Sequence, residues 1–356
     1  MAYISFKPSA HVTSYYYVPD ADTWNAWTGF GFQPDFTFQK DYASSVTWWG
    51  TCDSTRGVDA SPGCEAIYVN DNSAEASNTT EYLDGYQSDG FTTGQNGSFG
   101  ANGGTYMTGA WKANGGTTAS NGVGDITSTT QVNTTAGFSI VKYTGNGTSG
   151  QTIGHGLGVV PQCIWVKNLA RSESWAVYHV YNGATKFLEL DVNGSVSTSA
   201  NRWNDTAPTS TVFTVGNSNT VNQSGDEHIA YVWAPIKGYS SFGAYKGNGQ
   251  AADGPVICTG FRPEIVIVKR NGGTGGGPMY SRAQQRNQAN PIRRWAALDK
   301  TNAGADATDQ QFFFYGSGFK ANSNNTDQNA SGDTYVYMAW AREPLIGSEG
   351  NPGLAF

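Results

Sequence analysis

The chain has 356 residues and a formal net charge of −7, with 46 glycines, 13% aromatic residues and only 14% charged residues. Leucine occurs just eight times, so the unbranched residues that fill helices are scarce, while aromatic and β-branched residues suit the half-buried face of a strand. No Lys/Arg cluster supplies the footprint of a nucleic-acid binder, and no run of about 18 apolar residues is available to cross a membrane.

Taken in order, the chain reads as one unit repeated three times between two short flanks. Residues 1–19 form an N-terminal segment. Within it, residues 10–18, with Tyr15, Tyr16 and Tyr17, stand where the other units place an opening strand. A diverged first unit spans 20–114. It carries an early strand at 34–40 (Pro-Asp-Phe-Thr-Phe-Gln-Lys), the pair Trp48 and Trp49, and a middle strand at 66–70. Its closing strand at 102–111 runs from a glycine turn to Trp111. Cys52 and Cys64 bracket a loop in this unit, and either a local disulfide or two free thiols is compatible with the spacing. Residues 115–136, rich in Gly, Ser, Thr and Asn, have the composition of a linker, either flexible or draped along a neighbour.

The second unit, 137–237, is the clearest. It opens on Gly-Phe-Ser-Ile-Val-Lys-Tyr-Thr-Gly-Asn-Gly at 137–147 and continues with an early strand at 161–168 (Pro-Gln-Cys-Ile-Trp-Val-Lys-Asn). Middle strands follow at 175–179, 187–191 and 211–216, and a closing strand ends on Trp233. The third unit, 238–345, repeats these parts at 241–249, 263–270, 295–299 and 312–319, and closes on Trp340. Each Gly-Asn-Gly predicts a tight turn with positive φ. Each closing strand alternates as if one face met a core and the other met solvent. Trp165, out of phase with Ile164 and Val166, is expected on the outward face. Cys163 and Cys258 are expected in cores. Short strands at this spacing predict an all-β chain of three tandem antiparallel β-sandwich domains of jelly-roll or lectin-like type. The second and third units join almost directly, so they are expected to pack rigidly. The C-terminal tail, 346–356, has no strand pattern, and both flanks are expected to be held by neighbouring subunits.

The second unit resembles a repeat of structural proteins in tailed bacteriophages, especially marine ones. The resemblance rests on 137–147, on Thr-Ile-Gly-His-Gly-Leu-Gly-Val-Val-Pro at 152–161, on 164–168 and on Trp-Ala-Val-Tyr-His at 175–179. It extends over 238–345, where residues 253–260 replace the Gly-His-Gly-Leu-Gly segment, and in outline over 20–112. It implies a virion location and an adhesive or scaffold role, and it brings no catalytic residue. The start of the chain lacks a basic region followed by an apolar core, although the surface composition is that of an exported protein. A virion protein assembled in the host cytoplasm and freed by lysis reconciles the two.

Site chemistry was sought against this background. His11, His155, His179 and His228 show no metal-ligand spacing, and the acids Asp84, Asp89, Asp191, Asp226, Glu227, Asp299 and Asp333 are scattered. No metal, cofactor or catalytic set is expected. Aromatics near loops can stack on sugar rings, which makes Trp48, Trp49, Trp175, Tyr181 and Trp203 the candidates for contact with a glycan or partner. The expected function is a phage virion structural protein, either a tail fibre or a tail-associated adhesin contacting the host. The alternatives are a capsid-decorating, cementing or head-fibre protein and, behind that, a polysaccharide-degrading spike. Expected partners are other virion proteins, copies of the chain itself as a homotrimer, and a host surface glycan.

Overall fold

A computed structural model describes residues 6–20, 24–57, 64–76, 82–272, 278–281, 290–301, 304–306 and 310–343. The start of the N-terminal segment and the C-terminal tail, 346–356, lie outside the described residues. The chain is all-β, built from antiparallel sheets, with two short helices at Ala200–Trp203 and Asn219–Asn222. Both helices start on a serine side chain, Ser199 or Ser218, that accepts a backbone N–H of the first turn.

Each unit, called a lobe below, is built on the same three strands. The closing strands are Tyr106–Trp111, Glu227–Trp233 and Thr334–Ala341. Each lies between an opening strand (Val12–Tyr17, Phe138–Thr144 or Ser240–Lys246) and an inner strand (Phe36–Asp41, Cys163–Asn168 or Pro263–Arg270). In register, Trp111 faces Val12 and Phe36, Trp233 faces Phe138 and Cys163, and Trp340 faces Ser240 and Ile265. Further strands extend the three main sheets to five, eight and six strands, and smaller sheets of three, two and three strands accompany them.

The expectation that each closing strand shows one face to solvent is corrected. Tyr106–Trp111 is buried at every position, and Glu227–Trp233 and Thr334–Ala341 are buried at every position but the first. The reason is that every main sheet sits between two cores. One set of side chains, including Met107, Trp111, Ile229, Tyr231, Trp233, Val336, Met338 and Trp340, enters a single core shared by all three lobes. The other set, including Tyr106, Ala110, Ala230, Val232, Tyr335, Tyr337 and Ala339, enters three separate outer cores. Trp165 also lies in the shared core, fully buried, because its strand too has no solvent face.

At the centre, Trp111, Trp233 and Trp340 meet one another edge to face, with ring centroids 5.1 to 6.3 Å apart. Their buried indole N–H groups have no hydrogen-bond acceptor. Edge-to-face packing offers them neighbouring aromatic faces instead. Gly109 makes room here, since a Cβ at that position would stand 2.8 Å from the Trp111 ring.

The internal symmetry is as close in the outer cores. Tyr17 stacks on Tyr106, Tyr143 on His228 and Tyr245 on Tyr335, at 5.0, 5.2 and 5.2 Å. The opening-strand hydroxyls donate to the carbonyls of Phe99, Val221 and Gln328. The closing-strand rings bond the carbonyls two residues earlier, at Gly97, Asn219 and Thr326.

Two further expectations are settled, the state of the linker and the burial of Cys258. Of the two states open to residues 115–136, flexible or draped along a neighbour, the structure has the second: Ala119–Asn121 and Ser128–Asn133 are strands added to the second sheet, and Ile126 is buried in the second outer core. Buried Asp35 fastens this stretch to the first lobe, accepting the N–H groups of Ala113, Gly115 and Gly116. The Gly-Asn-Gly turns have the expected positive φ, at the second glycine, Gly147 or Gly249. The first is needed for close approach, since a Cβ on Gly145 or Gly247 would stand 2.3 or 2.2 Å from a carbonyl oxygen. Cys258 is exposed, on a small-sheet strand of which only Ile257 turns inward, whereas Cys163 is buried.

Candidate functional site

The polar chemistry of the molecule is concentrated in the seams between lobes. Each inner strand carries a lysine on its shared-core face: Lys40, Lys167 and Lys269, all buried. Each ammonium crosses to a carbonyl of another lobe. Lys40 Nζ donates to Thr301 O at 2.7 Å, Lys167 Nζ to Asn72 O at 3.2 Å and Lys269 Nζ to Val192 O at 2.8 Å. The pattern is cyclic: first lobe to third, second to first, third to second. Burial lowers the Lys40 and Lys167 ammonium groups to about 8, and it lowers Lys269 as well, although Asp299 opposes the shift.

Two tryptophans repeat the pattern. Trp49 Nε1 donates to Ala297 O at 2.7 Å and Trp175 Nε1 to Tyr68 O at 2.8 Å, again first lobe to third and second to first. Their backbone N–H groups are held by Asn70 and Asp191. The corresponding position in the third lobe is Gly277, outside the described residues. The second-to-first seam also holds a charged knot. Asp53 accepts from Arg56 Nε at 2.5 Å and from the Tyr231 hydroxyl of the second lobe at 2.7 Å, and Arg56 pairs with Glu75 as well. The third-to-second seam instead has His179 Nε2 against Tyr337 O at 3.1 Å and Asn271 against Asn182 at 2.8 Å.

Of the aromatic candidates, three belong to the interior. Trp49 and Trp175 are wholly buried as seam anchors, and Trp203 packs in the second outer core against Tyr178. A loop position did not keep them outside, because the loops themselves lie against another lobe or sheet. Trp48 and Tyr181 do reach the surface, 37% and 54% exposed. Trp48 stands edge-on to Tyr68 at 4.7 Å, in the first lobe. Tyr181 belongs to the second lobe, and the candidates therefore do not gather into one site.

Around Tyr181 the structure adds residues that sequence reasoning passed over. Val180 N–H donates to Gln162 O at 2.8 Å, which sets the loop of Val180 and Tyr181 beside that of Val159 and Val160. All four are exposed, the three valines by 37% to 50%. Four such side chains on two adjoining loops make an apolar patch of the kind that marks contact surfaces. The available signal was Val159-Val160 caught between Gly158 and Pro161, where no strand could bury both.

Cys52 and Cys64 form a disulfide in the first lobe. All four histidines lie within the fold. His155 Nδ1 accepts the Leu157 N–H, and His11 meets Asn133 at the joint of the first two lobes. Burial lowers every one of them, His11 and His179 to about 4. No group of three or more His, Cys, Asp or Glu side chains that could hold a metal occurs among the described residues.

The chain belongs to the family described as a domain of unknown function, DUF7483, whose model matches residues 7–344. No curated protein and no solved structure matches it.

Proposed function

We propose that this protein is a structural component of a bacteriophage particle, a tail fibre or tail-associated adhesin, acting through surface contact without bond-making chemistry. The observation that carries the reading is the apolar patch of Val159, Val160, Val180 and Tyr181, exposed on two adjoining loops of the second lobe. The resemblance of residues 137–236 to tailed-phage structural repeats supports it. Trp48 and Tyr181 are the aromatics that remain available to a host glycan, and the patch is available to other virion proteins or to further copies of the chain.

A second reading, decoration or cementing of the head, draws on the internal threefold plan. One chain with three similar lobes can sit on a threefold axis that would otherwise call for three subunits. Labelling purified particles with antibody against this chain decides between them. Label at the tail tip fits the adhesin, label over the head surface fits decoration, and absence from particles overturns both. Release of sugar from host polysaccharide by the purified protein would contradict the non-enzymatic reading.

A further inference from the structure

Each lobe has a buried lysine on its inner strand and, in a corresponding position just past a later strand, an Asn or Asp: Lys40 and Asn70, Lys167 and Asp191, Lys269 and Asp299. The third pair differs from the others. Lys269 Nζ lies 3.7 Å from Asp299 Oδ2, with side-chain exposures of 4% and 0%. Among the described residues, neither Lys40 nor Lys167 forms an ion pair. The two partners are also fixed in position. Lys269 is held in the strand Pro263–Arg270, and Asp299 follows the strand Arg294–Ala297. Between them in the sheet runs Pro278–Ser281, so the side chains meet around its end.

We propose that Lys269 and Asp299 are joined by an intramolecular isopeptide bond in the mature protein. An ammonium and a carboxylate sealed together without water carry a heavy desolvation cost, and condensation removes both charges. The atoms balance without any co-reactant. A proton passes from Lys269 Nζ to the Asp299 carboxylate, giving an amine and a carboxylic acid. The amine nitrogen attacks Cγ, the N–Cγ bond forms, a Cγ–O bond breaks, and one water leaves with two of the ammonium hydrogens. Nothing is oxidised or reduced. The surroundings favour the neutral amine, since burial lowers the Lys269 ammonium. A second acid is at hand to relay the proton. Asp191 immediately precedes Val192, whose carbonyl accepts from Lys269, and burial raises its carboxyl above the ordinary range. The bond would tie the strand Pro263–Arg270 to the end of the strand Arg294–Ala297 within the third lobe.

The test is mass spectrometry of the purified full-length wild-type chain, so it does not depend on a variant that folds. The expected result is an intact mass lower by one water than the sequence with its disulfide. A tryptic digest should then yield a branched peptide joining the segments that contain Lys269 and Asp299, lost in Lys269→Arg and in Asp299→Ala. A full-mass chain that yields both segments as separate linear peptides would overturn the proposal and leave an ordinary ion pair. Loss of water localised to any other residue would overturn it equally.

Discussion

The second-to-first seam and the third-to-second seam are built on one plan and finished differently. Both carry a buried lysine that donates to a carbonyl across the gap. The former adds the Trp175 anchor and the Asp53–Arg56–Glu75 knot, tied to Tyr231. The latter adds a buried neutral histidine against a carbonyl and an amide pair. The crossing lysine is the element the two seams have in common. The remaining polar groups decide how, and under what conditions, it comes apart.

The largest effect is expected from Arg56→Met, which leaves Asp53 buried and uncompensated. Removing one member of a buried pair costs about 3–5 kcal/mol, to be read from denaturant midpoints. Trp175→Phe keeps an aromatic ring but strands the Tyr68 carbonyl, a loss of about 1–3 kcal/mol. If both changes leave stability untouched, the contrast between the seams is empty.

Acid should act most directly on the other seam. His179 sits at about 4 in the folded chain against an ordinary 6.5, so between those values the unfolded state binds more protons. Stability is therefore whole above about pH 6.5 and falls as pH drops toward 4. His11 shares this direction at another joint, and the comparison of wild type with His179→Gln isolates the seam. The variant's stability should decline less over that range, and parallel curves would show that His179 does not titrate as placed. In base the direction is the same, at higher pH. Lys40 and Lys167 at about 8, against 10.5, make the unfolded state the greater proton binder above pH 8. Their burial penalty is relieved as pH rises toward 10, so Lys167→Met should flatten that rise. The smallest effect is expected from Trp48→Ala, within about 0.5 kcal/mol as for most surface changes, even though Trp49 beside it is wholly buried.

That last pair shows how far the sequence could be read. The opening, inner and closing strands, and the threefold repeat that contains them, were legible from prolines, glycine turns and three tryptophans in matching places. Their burial on both faces was not. Small residues such as Ala110, Ala230 and Ala339 look like the outward half of an amphipathic strand, yet they are what a sheet needs when a second core presses on its back. The same gap misplaced Trp165. Residues 115–136 looked like a linker because their strands carry no apolar pattern: Ser128–Asn133 is held by its ladders on both sides and by side chains such as Gln131, which reaches Ser54 and Thr55. At the candidate surface, Trp48 and Trp49 read alike as aromatics near loops, and nothing in the sequence told the buried one from the exposed one. Tyr181 was legible as a loop aromatic, whereas its valine neighbours come together only through the Val180–Gln162 contact.

The central claim is that three lobes share one core and therefore fold as one unit. Hydrogen exchange followed peptide by peptide tests it most directly, on the amides of Tyr106–Trp111, Glu227–Trp233 and Thr334–Ala341. These strands should open with one common free energy, equal to that of global unfolding and falling in parallel with denaturant. Three different opening free energies, with one closing strand exchanging while the others stay protected, would contradict it and restore three independent domains.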